Sequence, residues 1–429
     1  MGNYGKGDTS WFTHDRFGMF IHWGLYAMLG RHEWVKHREE ITDEDYQVYF
    51  DLFNPDLFDA KEWAKLAREA GMKYLVLTSK HHEGFCLWDS KYTDYKATNT
   101  PCGRDLLREI VDAFRAEGLR IGFYYSLIDW HHPDFTLDRI HSMRNKRKPE
   151  EFNKGRKLSR YAKYMRDQVT ELLTNYGKID IIWFDFSYPG ENGKGREQWE
   201  SEKLVKLVRK LCPDIMINNR LDLPEAADVI TPEQYTPDRG LVDAGGKPVV
   251  WEGCQTLSGS WGYHRDEATW KSVKMCIEML VNHVSRGGNL LMNIGPTSRG
   301  YFDQRAKDRL AGYAAWMKVH SRSIYGCGQA PADFPAPNDC RYTYNAETKC
   351  LYLHLFAWPF KHIHLANLAG KVKYAQLLAD GSEIKRREAG TAIHAALNSS
   401  SPGNALTLEL PVTLPSACCE VPVIELFLK

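Results

Sequence analysis

A chain of 429 residues, 43% of them apolar, is long enough for a sizeable core and for more than one domain. Its 56 Lys and Arg against 55 Asp and Glu leave a formal charge of +1, so nothing in the composition calls for a polyanionic partner such as a nucleic acid. No window approaches 18 consecutive apolar residues and the first residues, MGNYGKGDTSWFTHDRFG, contain no apolar stretch, which argues against a membrane-spanning helix and a signal peptide.

Up to about residue 320 short apolar runs alternate with amphipathic stretches. In chain order the predicted strands are 16–23, 74–79, 121–126, 179–186, 215–219, 228–231, 248–252 and 289–294, with helical patterns over 60–70, 105–117, 157–174, 198–211 and 269–286. About eight strands with helices between many of them predict an α/β fold, an irregular (β/α)8 TIM-like barrel, least regular over 221–250, where no helical pattern separates the strands. After Arg322 the texture changes to short strand-like segments, 342–344, 351–356, 362–366, 372–378, 406–410 and 421–428, separated by Gly, Pro, Asn and Ser. That spacing reads as a C-terminal β-sandwich, so the division expected is a barrel over 1–325 and a sandwich over 326–429. The ten cysteines, including the adjacent Cys418-Cys419, form no CxxC pair and read as reduced thiols of a cytoplasmic protein. A secreted or periplasmic location would require a signal segment since removed.

The segment Ile179-Asp180-Ile181-Ile182-Trp183-Phe184-Asp185-Phe186 carries the most information: an apolar strand that ends in a carboxylate. Polar motifs close several other predicted strands as well: His22-Trp23-Gly24, His81-His82-Glu83-Gly84-Phe85, Tyr124-Tyr125-Ser126, Asn218-Asn219-Arg220, Thr231-Pro232-Glu233 and Trp251-Glu252. In a parallel barrel the C-terminal strand ends converge on one mouth, so these residues would line one pocket. The chain is also rich in Trp (13) and Tyr (22), several beside His or Glu, the mixture that suits the apolar faces and hydroxyls of a sugar.

Several of these motifs together resemble the α-L-fucosidases of glycoside hydrolase family 29: Phe17-Gly18-Met19-Phe20-Ile21-His22-Trp23-Gly24, Lys80-His81-His82-Glu83-Gly84-Phe85, Trp183-Phe184-Asp185, Trp251-Glu252 with Ser260-Trp261-Gly262-Tyr263, and the run from Gly287 to Pro296. The resemblance spans roughly residues 10 to 325; beyond it only the β-rich texture matches. It implies a retaining exo-α-L-fucosidase with a barrel and a sandwich, needing no metal and no cofactor. It implies Asp185 as nucleophile, Glu233 as acid/base, and His22, Glu33, Trp34, His81, His82, Tyr125, Trp183, Arg220 and Trp261 as sugar-binding residues. Glu252 is placed with the sugar-binding residues and remains a second candidate for acid/base, its plainer reading being a buried partner of Arg220 or His264. The partner implied is a fucosylated oligosaccharide or glycoconjugate, with no nucleic acid and no membrane, and homo-oligomerisation is left open.

The chemistry of the residue types agrees. Hydrolysis with retention needs one ionised carboxylate at the anomeric carbon and one carboxyl at the leaving oxygen, about 5–5.5 Å apart. Each motif also has a plainer reading. A lone Asp after a strand commonly caps the next helix. The His81-His82 pair could ligate zinc in a metal-dependent hydrolase, but adjacent residues on a strand face opposite ways, so one ion could not readily use both. His131-His132 reads as a solvated loop pair, Trp63, Trp88 and Trp270 as packing residues, and Gly287-Gly288 as a turn. A third alternative is a non-catalytic sugar-binding module that works through the sandwich.

Overall fold

The computed structural model describes residues 4–388, 404–416 and 420–429; Cys418 and Cys419 lie outside the described residues. Seven parallel strands form one curled sheet: β1 (Phe17–Ile21), β2 (Tyr74–Lys80), β3 (Arg120–Ser126), β4 (Ile181–Asp185), β5 (Met216–Ile217), β6 (Glu252–Thr256) and β7 (Asn289–Ile294). Their order is β5-β4-β3-β2-β1-β7-β6. The gap between β5 and β6 is spanned by single parallel bridges, Asn218 to Val229 and Ile230 to Trp251. The eighth stave, predicted over 228–231, is therefore present as a threaded segment and not as a regular strand. The Asn218 side chain strengthens this weak side by extending the ladder onto β4: its amide donates to Phe184 O (2.8 Å) and its oxygen accepts the Phe184 N–H (2.9 Å).

The helices begin where short polar side chains satisfy otherwise unpaired N–H groups. Asp59 caps Ala60–Glu69, Asp105 caps Leu106–Ala116, Ser272 caps Val273–Val284 and Asp303 caps Gln304–His320. The last of these helices was not predicted. The helix expected over 198–211 is two, Arg196–Trp199 and Ser201–Leu211, broken at Glu200, whose φ of 49° cannot continue a helix. The first helix, Ser10–Asp15, closes the lower end of the barrel and buries Phe12 completely.

Inside the barrel, side chains from alternate strand positions fill the space in layers. Phe20, Tyr74, Val76, Tyr124, Trp183 and Leu291 belong to this interior cluster. Gly18 makes the room for Tyr74, since a Cβ at that position would lie 2.3 Å from the tyrosine ring. The Tyr74 hydroxyl donates to Glu252 Oε2 at 2.5 Å. The strand predicted over 248–252 is shifted four residues on, so Glu252 opens β6 instead of ending it. It lies deep in the interior, on the face that presents Cys254 one layer higher.

Beyond Gln304–His320 the chain forms two antiparallel sheets. One has the order β12-β15-β10-β9-β8, made of β8 (Gly328–Gln329), β9 (Cys340–Asn345), β10 (Cys350–Leu355), β12 (Val372–Leu377) and β15 (Val423–Leu428). The other, β11-β14-β13, consists of β11 (His362–Leu365), β13 (Lys385–Glu388) and β14 (Leu406–Glu409). β8 and β13 were not predicted. Leu353, Leu365, Leu406, Leu408, Ile424 and Leu426 pack between the sheets. The sandwich docks on the last barrel helix: Trp316 Nε1 donates to Val421 O (3.0 Å) and Arg322 pairs with Glu425 (2.5 Å). Among the described residues no helix is long and apolar enough to cross a membrane, and the eight described cysteines are free.

Burial lifts the Glu252 carboxyl from its ordinary 4.5 to about 7, with the Tyr74 hydrogen bond only partly opposing the rise. The unfolded chain loses this proton near 4.5 while the folded chain keeps it until about 7, so the stability this group contributes is full below pH 4.5 and is lost as pH rises through 7. Glu252→Gln cannot ionise. Urea titrations at pH 5 and pH 8 should therefore give the variant the smaller loss of midpoint between the two; equal losses would show that Glu252 is ionised in the fold.

Candidate active site

The C-terminal ends of the barrel strands open on a narrow pocket. His22, His81, His82, Trp183, Asp185 and Glu233 all line it, as do Glu33, Trp34 and Trp261. Convergence of distant motifs on one mouth is thus observed for nine of the residues singled out in the sequence.

Two of the three histidines are fixed by side-chain hydrogen bonds. His22 Nδ1 lies 2.6 Å from Asn293 Oδ1, while the Asn293 amide donates to Trp261 O. That orientation makes the imidazole the donor and leaves Nε2 as an acceptor. His82 Nδ1 lies 2.7 Å from Ser126 Oγ, whose own hydrogen goes to Ile128 O, so His82 also donates through Nδ1. Burial holds His22 and His82 near 4 and His81 well below its ordinary value, so all three are neutral at pH 7. The expectation that His81 and His82 face opposite ways is wrong. β2 ends at Lys80, the chain turns with Gly84 N–H bonded to His81 O, and the two rings reach the pocket with centroids 4.0 Å apart. Beneath them Lys80 Nζ meets Asp129 Oδ2 at 3.0 Å with both side chains buried.

Glu33 and Trp34 lie in a loop before a short helix. Glu33 Oε2 accepts the backbone N–H groups of Trp261 (3.1 Å) and Gly262 (2.7 Å), tying that loop to Trp261. Burial would raise the Glu33 carboxyl, but the neighbouring His32 and the bond from the Gly262 N–H outweigh it and hold it below the usual range. Trp34 packs edge-on to His82 and Trp130 and against Phe186.

The two carboxylates meet at one guanidinium. Arg220 Nη1 donates to Asp185 Oδ1 at 2.9 Å and to Glu233 Oε2 at 2.6 Å, which together cap the separation of those two oxygens at 5.5 Å. Asp185 Oδ2 accepts the Tyr124 hydroxyl at 2.7 Å. Asp185 therefore does not act as a helix cap. Phe186 directly follows it with φ +80°, a strained conformation for a bulky residue that turns the chain sharply away. Burial disfavours the Arg220 charge, but the Asp185 and Glu233 carboxylates outweigh it and hold the guanidinium firmly cationic. Its plane lies 4.5 Å from the Trp183 ring. Asp185 is largely buried, whereas the Glu233 side chain is 44% exposed.

Two predicted pocket residues lie elsewhere. Tyr125 is fully buried and donates to Gln168 Oε1 behind the sheet; its neighbour Tyr124, one step out of phase on β3, faces the pocket. The register pairs Tyr124 with Trp183 and Ser126 with Asp185, so counting back by twos from the strand end would have identified it. Glu252 does not line the pocket and touches neither Arg220 nor His264; its partner is Tyr74. The strand-end motif Tyr124-Tyr125-Ser126 did place Tyr124 at the mouth, although the sugar contact was assigned to Tyr125; Phe20, Phe186 and Cys254 are the lining residues that sequence reasoning missed. His131 is not solvated as expected but stacks on Tyr95 at 3.8 Å. Among the described residues no three His, Cys, Asp or Glu side chains are grouped as metal ligands would be.

Residues 6–322 match the model of the alpha-L-fucosidase family. The structure is similar to alpha-L-fucosidase isoenzyme 1 from Paenibacillus thiaminolyticus, 47% identical over 98% of both chains with a TM-score of 0.90. It is also similar to an alpha-L-fucosidase from Bacteroides thetaiotaomicron solved as a trapped covalent intermediate in complex with 2-fluoro-fucosyl fluoride: 30% identity, 99% of both chains, TM-score 0.83. In sequence it is 30% identical to the human plasma alpha-L-fucosidase over 82% of this chain and 76% of that one.

The two adjacent tyrosines separate by experiment. Tyr124→Phe removes a hydrogen bond to a carboxylate, worth about 1.5–3 kcal/mol, and should lower kcat/KM on an aryl α-L-fucoside by roughly 10- to 100-fold. Tyr125→Phe should leave kcat/KM nearly unchanged and reduce the melting temperature. Equal kinetic losses in both would contradict the observed facing.

Proposed function

The chain belongs to the α-L-fucosidases of glycoside hydrolase family 29, and on that premise we propose that it releases terminal α-L-fucose from oligosaccharides or glycoconjugates by double displacement with retention. The observation that carries this reading is the pair of contacts from Arg220 Nη1, which keeps the Asp185 and Glu233 oxygens within 5.5 Å. Retaining glycosidases need about 5–5.5 Å between the carboxyl groups, whereas a gap of ~6.5–9.5 Å would leave room for the water of an inverting mechanism.

In the first step Asp185 attacks C1 from the face opposite the leaving group while Glu233 protonates the departing oxygen, giving a β-linked fucosyl-enzyme. In the second, Glu233 takes a proton from water as it attacks C1, and the Asp185 carboxylate leaves. The contrast in exposure suits these roles: the nucleophile is held by Arg220 and Tyr124, and the acid/base stands at the rim where aglycone and water arrive. The neutral imidazoles of His22 and His82 offer an acceptor nitrogen each to sugar hydroxyls, and Phe20, Trp34, Phe186 and Trp261 offer apolar surface to the methyl group and C–H faces.

Replacing Asp185 by Gly should lower turnover by on the order of 10⁴-fold or more, with partial rescue by azide to give β-fucosyl azide. Early proton NMR of the wild-type reaction should show α-L-fucose as the first product; the β-anomer would overturn the mechanism. Glu233→Ala should be severely impaired on oligosaccharides but far less in forming the fucosyl-enzyme from an activated aryl fucoside, while Glu252→Ala should depress both alike. An exchange of those two profiles would transfer the acid/base role to Glu252.

A further inference from the structure

We propose that Arg220 is a positioning residue that changes partner during turnover: shared by Asp185 and Glu233 in the free enzyme, it is left to Glu233 alone in the fucosyl-enzyme, where it holds that glutamate in place as the base for water. The inference rests on the mechanism just proposed and assigns a role to the group between its two carboxylates.

The guanidinium is anchored independently of both. Nε donates to Thr231 Oγ1 and Nη2 to Thr231 O, each at 3.2 Å, and the plane packs on Trp183. Thr231 is itself held, its hydroxyl donating to Asn219 Oδ1 at 2.9 Å. Arg220 thus stays in place while the carboxylates beside it change. Arg220 is the ion-pair partner of the Glu233 side chain among the described residues. The other titratable groups around the trio add no charge of their own: burial raises the Cys254 thiol, whose sulfur lies 3.8 Å from Nη2, and keeps His22 and His82 neutral. Glu33 is ionised but engaged by the Trp261 and Gly262 N–H groups.

The charge balance then dictates the sequence of events. At the start of the cycle Arg220 is cationic, Asp185 anionic and Glu233 protonated, and the trio is neutral. Attack on C1 converts Asp185 to an uncharged ester as the Glu233 proton passes to the leaving oxygen. Arg220 now faces an ionised Glu233, and the trio is neutral again. In the second step the water oxygen bonds to C1, its proton goes to Glu233, and the electron pair of the C1–O bond returns to Asp185, restoring the first arrangement. Without the fixed guanidinium, the partly exposed Glu233 side chain would lose the contact that aims its carboxylate at the incoming water.

The test compares Arg220→Gln and Arg220→Met, which lose the charge, with Arg220→Lys, which keeps it, all in the full chain and checked for folding by thermal melts. With a dinitrophenyl α-L-fucoside, whose leaving group needs no acid, R220Q and R220M should show a burst and then a steady state slowed about tenfold or more relative to the burst. Intact mass should detect the accumulated fucosyl-enzyme. Azide, which needs no base, should accelerate its turnover. R220K should turn over without accumulation. If the neutral variants lose burst and steady state in proportion, with no adduct and no response to azide, Arg220 acts only on sugar binding or on Asp185 and the inference falls. Wild-type enzyme treated with 2-fluoro-fucosyl fluoride should be labelled at Asp185. Absence of that label would overturn the underlying mechanism as well, whereas a label with no accumulation in R220Q would overturn this inference alone.

Discussion

The mouth of the barrel is held in shape by one buried ion pair, Lys80 with Asp129, whose side chains are 0% and 2% exposed. Taking two charges out of water costs several kcal/mol each, and only a close, fully hydrogen-bonded geometry offsets that cost. Asp129 meets the condition by also accepting the N–H groups of His131 and His132, and Lys80 by lying over the Tyr125 ring. Any displacement of the turn after β2 would leave a charge unpaired in the interior. The pair therefore acts chiefly as a device that specifies a single conformation, and His81 and His82, the next two residues, inherit it. Gly84 fits the same constraint, for a Cβ there would lie 2.3 Å from Asp129 Oδ1.

The buried carboxylates sort by partner. Asp185 and Asp129 each face a cation, and Glu33 faces His32 and backbone N–H groups. Glu83 and Glu252 have tyrosine hydroxyls instead, and burial moves both to about 7. Phenol donors satisfy an oxygen without supplying charge, so they offset burial only in part at these two glutamates, one beneath the pocket and one beside the loop that carries Leu25. Perturbed titration is often read as a mark of catalysis. Here the largest upward shifts of glutamate belong to groups outside the pocket lining.

Much of this was legible in the sequence because parallel barrel strands are apolar runs with polar ends, and the ends of β1, β2 and β4 carry His22, His81-His82 and Asp185. Where that signature fails, so did the reading. The segment Glu252–Thr256 holds one apolar side chain, Cys254, while Val249, Val250 and Trp251 precede it, and the apolar run drew the expected strand four residues early. Tyr124 and Tyr125 are both aromatic, so hydrophobicity could not choose between them; only the register with β4 could. Opposite facing of His81 and His82 assumed that the strand continued through them, and the turn signal, Gly84, lay just beyond. The contact that matters most, Arg220 between Asp185 and Glu233, joins residues 35 and 13 positions apart and depends on the threaded stave, which has no periodic pattern to read.

That stave has a consequence for how such a site can diversify. Asp185 ends a strand laddered to β3 and clamped by Asn218, so its position is tied to the register of the whole sheet. Glu233 sits where single bridges replace a ladder, at the head of a largely irregular and exposed segment that runs to residue 250. Insertions or deletions there would leave every other strand in register. A change of loop length can therefore carry the Glu233 carboxyl along the rim of the pocket while Asp185 stays where the sheet holds it.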